Sequence, residues 1–184
     1  MIIAHLSDLH VFAGQPESRL VRPDAVARAA RVIADVAALR PAPAAVVVSG
    51  DLTDGGTAED YARVDALLRA LPMAVLAVPG NHDRRAAMRA ALDRRVGFAP
   101  GAFLNAAREI GPLRLIGLHS TIPGRGEGAL CAERLDWLRA TLARDARPAL
   151  IALHHPPFPT GAACWDRIGL REGAEALAGI VAAH

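Results

Sequence analysis

Four short segments of the sequence combine carboxylate, amide and imidazole side chains, and each segment follows an apolar run. They are Asp8-Leu9-His10, Gly50-Asp51, Gly80-Asn81-His82-Asp83 and His154-His155-Pro156-Pro157. Oxygen and imidazole donors without a thiolate suit borderline or harder divalent ions such as manganese, iron, cobalt or zinc. Their residue types therefore favour metal chemistry, provided that the fold brings the four segments together.

Each segment also has an ordinary structural explanation. Gly50-Asp51 after a strand is typical of a turn or a helix N-cap. Asn81 could occupy a left-handed turn, and Asp83 could cap a helix that starts at Arg84. The pair His154-His155 could be packed in the core or lie at the surface. A functional site is favoured because the four segments occur together in one chain, each after an apolar run, and contain four of its seven histidines. The other three histidines are interpreted as structural or surface residues: His5, His119 and His184.

The elements that must position these residues are short aliphatic runs bounded by turn residues. Such runs predict strands that are buried on both faces of a sheet. They span residues 2–6, 45–48, 74–78, 113–118 and 149–153. Segments with helical spacing of apolar residues lie between them, so strand and helix alternate. This alternation predicts a layered α/β domain with a largely parallel sheet, whose strand ends carry the polar segments.

Local signals refine this prediction. Gly111-Pro112 separates residues 105–110 from residues 113–118, which predicts a hairpin and so an antiparallel element in the sheet. Thr57 and Asp60 form a capping-box pattern at the start of a helix. Three apolar helix faces are predicted: Val26, Ala30, Ile33 and Ala37; Tyr61, Val64, Leu68 and Leu71; and Leu135, Leu138 and Leu142.

The motifs SDLH, SGDLTD, PGNHD and HHPP, in this order, resemble the signature of the calcineurin-like metallophosphoesterases. Within that family they most resemble the bacterial branch of cyclic-nucleotide phosphodiesterases and glycerophosphodiesterases. The resemblance runs over nearly the whole chain. It implies an α/β/β/α sandwich with a mixed sheet over residues 1–184, and hydrolysis of a small phosphodiester with two divalent metal ions. The motifs do not separate a cyclic nucleotide from a glycerophosphodiester.

The resemblance also implies the metal ligands. Asp8 and His10 would hold one ion, and Asp51 would bridge two. Asn81 would bind the second ion through its amide oxygen, joined by His155, which stands directly before the two prolines. In such a centre a hydroxide between the ions attacks phosphorus, because the two cations lower the pKa of the bound water.

Three further side chains receive other roles. His82 would face the substrate and protonate the departing alkoxide, and Asp83 would orient its ring. Adjacent residues of a strand point in opposite directions, so only one histidine of the pair is expected to be a ligand. His154 is accordingly expected to pack beside the site or to serve as the alternative ligand.

One part of the family pattern is missing. The family has a further Gly-His-x-His motif on a following strand, and this chain ends at His184 without it. The expectation is a domain truncated before its last strands, whose terminal helix exposes an apolar face that association of copies would cover. A different hypothesis is a catalytically silent remnant that binds metal or nucleotide, which would hold one ion or none.

The amino-acid composition argues against several classes of function. The chain has 21 basic residues, all arginine, so mechanisms that need lysine, such as Schiff-base catalysis, are excluded. A net charge of +2 with dispersed arginines argues against a nucleic-acid polymer as substrate and so against a nuclease. No apolar stretch approaches the length of a membrane span, and the first residues lack a signal-peptide pattern. We therefore expect a cytoplasmic protein with no membrane partner.

Overall fold

The elements of the computed structural model, which describes residues 1–184, alternate as the sequence predicts. The strands are β1 (Ile3–Leu6), β2 (Ala45–Ser49), β3 (Ala74–Val78), β4 (Ala106–Ile110), β5 (Leu113–Gly117), β6 (Gly128–Ala129), β7 (Ala149–Ala152) and β8 (Leu170–Glu172). The helices are α1 (Ala25–Ala38), α2 (Ala58–Leu68), α3 (Arg85–Val96), α4 (Ala132–Leu142), α5 (Ala163–Asp166) and α6 (Ala174–Ala182). None of the helices combines the length and the apolar character needed to cross a lipid bilayer.

Two three-stranded sheets build the centre of the molecule. β1, β2 and β3 pair in that order and run parallel. β4 and β5 form the predicted antiparallel hairpin, and β7 adds to β5 in parallel. β6 and β8 form a separate short pair. Because β1, β2 and β3 are parallel, the polar segments that follow them lie at one edge of the sheet.

The two sheets pack face to face. A Cβ atom added to Gly117 of β5 would lie 2.7 Å from Cγ1 of Val78 in β3, so the sheets approach closely there. Leu115 joins the core around the first sheet, whereas its neighbour Ile116 joins the core beneath α4 and α6. This alternation is that of a strand buried on both faces. The layers are therefore helices, sheet, sheet and helices, which confirms the predicted mixed α/β architecture.

The helices follow the predicted patterns, except that the buried face of α1 differs from the predicted one. The Thr57 hydroxyl accepts from the Asp60 backbone N–H, and the Asp60 carboxylate accepts from that of Thr57, so the capping box is confirmed. The predicted faces of α2 and α4 are buried. In α1 the buried residues are Ala29, Ile33 and Val36, because in this alanine-rich helix the neighbouring stripe is equally apolar. In α6, Leu177 and Ile180 are buried and Val181 is exposed.

His119, just after β5, is a buried structural histidine. Its Nδ1 accepts a hydrogen bond from the Leu104 backbone N–H at 2.9 Å, and its Nε2 lies 2.6 Å from the Thr121 hydroxyl oxygen. Burial lowers its pKa to about 3, and the nearby Arg134 guanidinium acts in the same direction. The imidazole is thus neutral in the folded protein at ordinary pH.

Replacing His119 with glutamine should make the protein less sensitive to acid. The native side chain has a pKa of about 3, whereas an unfolded chain takes up this proton near pH 6.5. Between these values the unfolded state binds more protons, so the free energy of unfolding falls as the pH drops below 6.5. Between pH 7.5 and pH 5, His119 should lower the free energy of unfolding by about 2 kcal/mol. Urea titrations at both pH values measure it. Equal losses in the parent and H119Q would contradict this assignment.

Candidate functional site

Backbone strain is concentrated at three of the predicted site residues. Asp8, His10 and Asp51 have φ angles of 56°, 45° and 49°, and they are the only residues other than glycine with positive φ. Left-handed backbone at such residues costs about 1–3 kcal/mol each and persists only where the surroundings enforce it. Here the Asp8 N–H donates to the Gly50 carbonyl and the His10 N–H to the Asp51 carbonyl, which lock the two loops together.

The side chains of four loops converge at the carboxyl edge of the first sheet. Nε2 of His10 lies 3.8 Å from Oδ1 of Asp8 and 3.7 Å from Oδ2 of Asp51. Nε2 of His154 lies 3.7 Å from Oδ1 of Asp51 and 3.2 Å from Oδ1 of Asn81. Most of these separations are too long for hydrogen bonds. We call these five residues, Asp8, His10, Asp51, Asn81 and His154, the strand-end cluster.

The donor set of the cluster fits divalent metal ions. Two groups have ligand atoms within 4.8 Å of one another: His10, Asp51 and His82, and Asp8, Asp51 and His154. Asp51 belongs to both groups and is only 4% exposed. A buried carboxylate needs a compensating partner, which a divalent ion bound among these side chains would supply.

Two glycines make room for this convergence. A Cβ atom on Gly50, whose φ is +104°, would lie 2.4 Å from Nδ1 of His154. A Cβ atom on Gly80 would lie 2.3 Å from the Asp51 backbone nitrogen and 2.1 Å from its Oδ1. Both contacts are far inside van der Waals distance. The glycines of the GD and PGNHD segments therefore permit the close backbone approach that brings Asp51, Asn81 and His154 together.

The structure brings His154, and not His155, into the cluster. The His155 ring is buried and makes its contacts elsewhere, with Nδ1 2.8 Å from the Ser120 hydroxyl oxygen and Nε2 3.2 Å from the Gly126 carbonyl oxygen. Burial lowers its pKa to about 4. The prediction that His155 is the ligand disagrees with this geometry. The pair lies beyond the end of β7 at Ala152, where strand alternation no longer fixes direction.

Asp83 also differs from its predicted role. Its carboxylate accepts hydrogen bonds from the backbone N–H groups of Leu52, Thr53 and Gly80 and from the hydroxyl of Tyr61. Burial of the carboxyl group raises its pKa. It neither contacts the His82 ring nor caps α3, whose N-cap residue is Arg84. Asp83 instead ties the 50–53 loop to the 80–83 loop, which holds the cluster in place.

The partner of His82 is Asp54, which the sequence reasoning missed. The Asp54 backbone carbonyl oxygen accepts from Nδ1 of His82 at 3.1 Å. Oδ1 of Asp54 lies 3.2 Å from Nδ1 of His82 and 3.8 Å from Nδ1 of His10, while its Oδ2 accepts from the Ser18 backbone N–H. The Asp54 side chain is fully buried. The available signal was the second acid of the SGDLTD motif, three residues after Asp51. With Nδ1 held by Asp54, the Nε2 of His82 is the nitrogen free to face the cluster.

A cavity of about 820 Å³ opens in front of the cluster. Every residue of the strand-end cluster lines it, together with His82 and residues from the stretches 18–32 and 154–168. Its volume lies within the roughly 300–1,000 Å³ that is usual for ligand pockets. The cluster is thus open to a small molecule.

Comparison with known proteins gives one family. The family described as "Calcineurin-like phosphoesterase" matches residues 1–184. The chain is 31% identical to the probable glycerophosphodiester phosphodiesterase GpdQ of Arcobacter nitrofigilis, over 98% of the chain and 66% of that protein. It is 35% identical to the glycerophosphodiester phosphodiesterase GpdQ of Enterobacter lignolyticus, over 97% and 65%. It is 32% identical to a probable cyclic nucleotide phosphodiesterase of Synechococcus, over 99% and 68%. The chain therefore spans about two thirds of the length of these relatives.

Proposed function

The chain belongs to the calcineurin-like phosphoesterase family, and from this premise we propose that it hydrolyses a small phosphodiester with two divalent metal ions. Residues 1–184 are proposed as one domain of this family. Cyclic nucleotides and glycerophosphodiesters are the candidate substrates, because relatives are named for each. A polymeric nucleic acid is not favoured, since a net charge of +2 gives the protein little overall attraction to a polyanion.

The observation that carries the proposal is the position of the Asp51 carboxylate, whose two oxygens lie 3.7 Å from Nε2 of His10 and 3.7 Å from Nε2 of His154. The proposed ligands are the strand-end cluster: Asp8, His10, Asp51, Asn81 and His154. Manganese, iron, cobalt and zinc all suit these oxygen and imidazole donors. Bound ions would supply Lewis acidity toward the phosphoryl oxygens and a hydroxide nucleophile near neutral pH. The neutral Asn81 amide adds a ligand without a further negative charge, which keeps the site attractive to an anionic phosphodiester.

The residues of the chain provide positioning and proton transfer. His82 lies in both cavities that open at the cluster, so its ring borders the space that a phosphodiester would occupy. The Asp54 backbone carbonyl accepts from Nδ1 at 3.1 Å, and this hydrogen bond, with the Asp54 carboxylate nearby, fixes the ring and places its proton on that nitrogen. Nε2 of His82 is therefore the atom that would deliver a proton to the departing alkoxide. Asp83 has a structural role: its hydrogen bonds to the Leu52 and Gly80 backbone N–H groups hold together the two loops that carry Asp51 and His82.

Hydrolysis of bis(p-nitrophenyl) phosphate tests the proposal. The protein is stripped with a chelator, reloaded with manganese and assayed for p-nitrophenolate release, while the metal content of each chain is measured. We expect turnover that depends on manganese and two ions per chain. The control is the stripped protein without added metal. No turnover with fewer than two bound ions would overturn the proposal and favour a metal-binding remnant.

A further inference from the structure

The cavity in front of the cluster has an apolar region that metal binding does not use. Leu20, Val32 and Trp165 line the cavity, and their exposed fractions are 94%, 41% and 57%, respectively. All three are large hydrophobic residues that remain exposed to solvent. Ile168 and Pro156 line the same cavity. Exposed apolar side chains gathered in one concave site are typical of a binding surface.

The segment that carries Trp165 is held by hydrogen bonds. The Asp166 carboxylate accepts from both the backbone N–H and the hydroxyl of Thr160 at 2.7 Å. The Ile168 N–H donates to the Trp165 carbonyl, and the Leu170 N–H donates to the Pro156 carbonyl. The loop is thus closed on itself by the Thr160–Asp166 and Pro156–Leu170 hydrogen bonds, which fix the backbone that carries Trp165 into the lining of the cavity.

A second cavity, of about 590 Å³, shares Asn81 and His82 with the first. It is lined mainly by polar residues, with Arg84, Arg85 and Arg125 among them. The two cavities meet at the proposed phosphate position but differ in chemistry. A phosphodiester bound there would have one substituent in the cavity that Trp165 lines and its other side toward a polar cavity, whose lining includes three acidic residues beside the three arginines.

We propose that Trp165, Leu20 and Val32 form a subsite for a flat aromatic substituent of the phosphodiester, of the kind that a nucleobase presents. The inference rests on the proposed function, because the phosphate must occupy the cluster. An aromatic side chain stacks on any base through its π face, whereas a glycerol group offers no such surface. Arg22 and Arg28 also line this cavity, which suits the anionic charge of a nucleotide better than a neutral apolar partner.

Tryptophan fluorescence tests the subsite without requiring turnover. The chain has two tryptophans, so W137F leaves Trp165 as the only reporter. Adenosine 5′-monophosphate, added to the manganese-loaded protein, should quench this emission to saturation, because the base stacks on the indole. Glycerol 3-phosphate, which carries the same phosphate without a base, should leave the emission unchanged.

Kinetics provide the second measurement. W165A should raise KM for 3′,5′-cyclic adenosine monophosphate by about tenfold or more, and leave kcat/KM for glycerophosphoethanolamine unchanged. W165F should restore most of the loss. F158A is the matched control, since Phe158 is an exposed aromatic residue of the same loop that does not line the cavity.

The outcomes separate this inference from the proposed function. Turnover of bis(p-nitrophenyl) phosphate without any quenching by adenosine 5′-monophosphate would overturn the subsite and leave the function standing. Quenching without turnover would support the subsite while the proposed hydrolysis fails. A blue shift of Trp165 emission that grows with protein concentration, with no response to nucleotide, would assign these side chains to an interface between copies and overturn the inference.

Discussion

Replacing Asp51 with asparagine should abolish phosphodiester hydrolysis and the binding of both metal ions. Asp51 is the residue common to the two ligand groups, and its carboxylate is almost fully buried beside Gly80. An amide retains the size of the side chain but loses its charge and one anionic ligand oxygen. We expect a loss of activity on the order of 10³-fold or more. Metal content should fall from two ions per chain to none.

The thermal stability of the metal-free protein separates this effect from unfolding. Burial is the main cause of the raised pKa of Asp83, and the charge of the neighbouring Asp51 acts in the same direction, so the two carboxylates repel each other when no cation is present. Metal-free D51N should therefore have a melting temperature at least equal to that of the metal-free parent. Asp65, which pairs with Arg69 and Arg95 far from the cluster, gives the control variant D65N with unchanged metal content. Two bound ions and normal turnover in D51N would refute the bridging role.

The elements of the fold were predictable because they depend on local pattern. The aliphatic run of β2 is buried at every position, as a central parallel strand requires. Gly111-Pro112 marks the hairpin, and Thr57 with Asp60 marks the start of α2. The convergence of Asp8, His10, Asp51 and Asn81 follows from parallel strands, whose carboxyl ends share one edge. These predictions needed no knowledge of side-chain directions beyond the strand.

The contacts of individual side chains were not predictable in the same way. Asp83 is adjacent to His82 in sequence, which suggested that it orients the ring. In the structure the ring turns toward the 50–54 loop and meets Asp54, while the Asp83 carboxylate turns to backbone donors. Both acids follow glycine-containing turns, and sequence spacing does not fix which of them faces the imidazole. Packing between loops that are about 30 residues apart decides it.

His154 and His155 should respond in opposite ways to replacement by glutamine. Nδ1 of His154 lies 2.8 Å from the Ser49 carbonyl oxygen, so this nitrogen carries the proton and donates it. Nε2 then holds a lone pair directed at Asn81 and Asp51, which is the tautomer that a metal ligand requires. In His155 the Gly126 carbonyl accepts from Nε2 and the Ser120 hydroxyl donates to Nδ1, so neither nitrogen is free.

H154Q should therefore lose one metal ion per chain and most of the activity, by about 10²-fold or more, with little change in the melting temperature of the metal-free protein. H155Q should retain both ions and instead lose about 1–3 kcal/mol of stability, because the buried partners of its ring are left without hydrogen bonds. Metal analysis, turnover of bis(p-nitrophenyl) phosphate and chemical unfolding, measured on both variants, decide between them. Loss of metal in H155Q with full retention in H154Q would reverse the assignment of the pair. The two variants control for each other, since they make the same chemical change at adjacent positions.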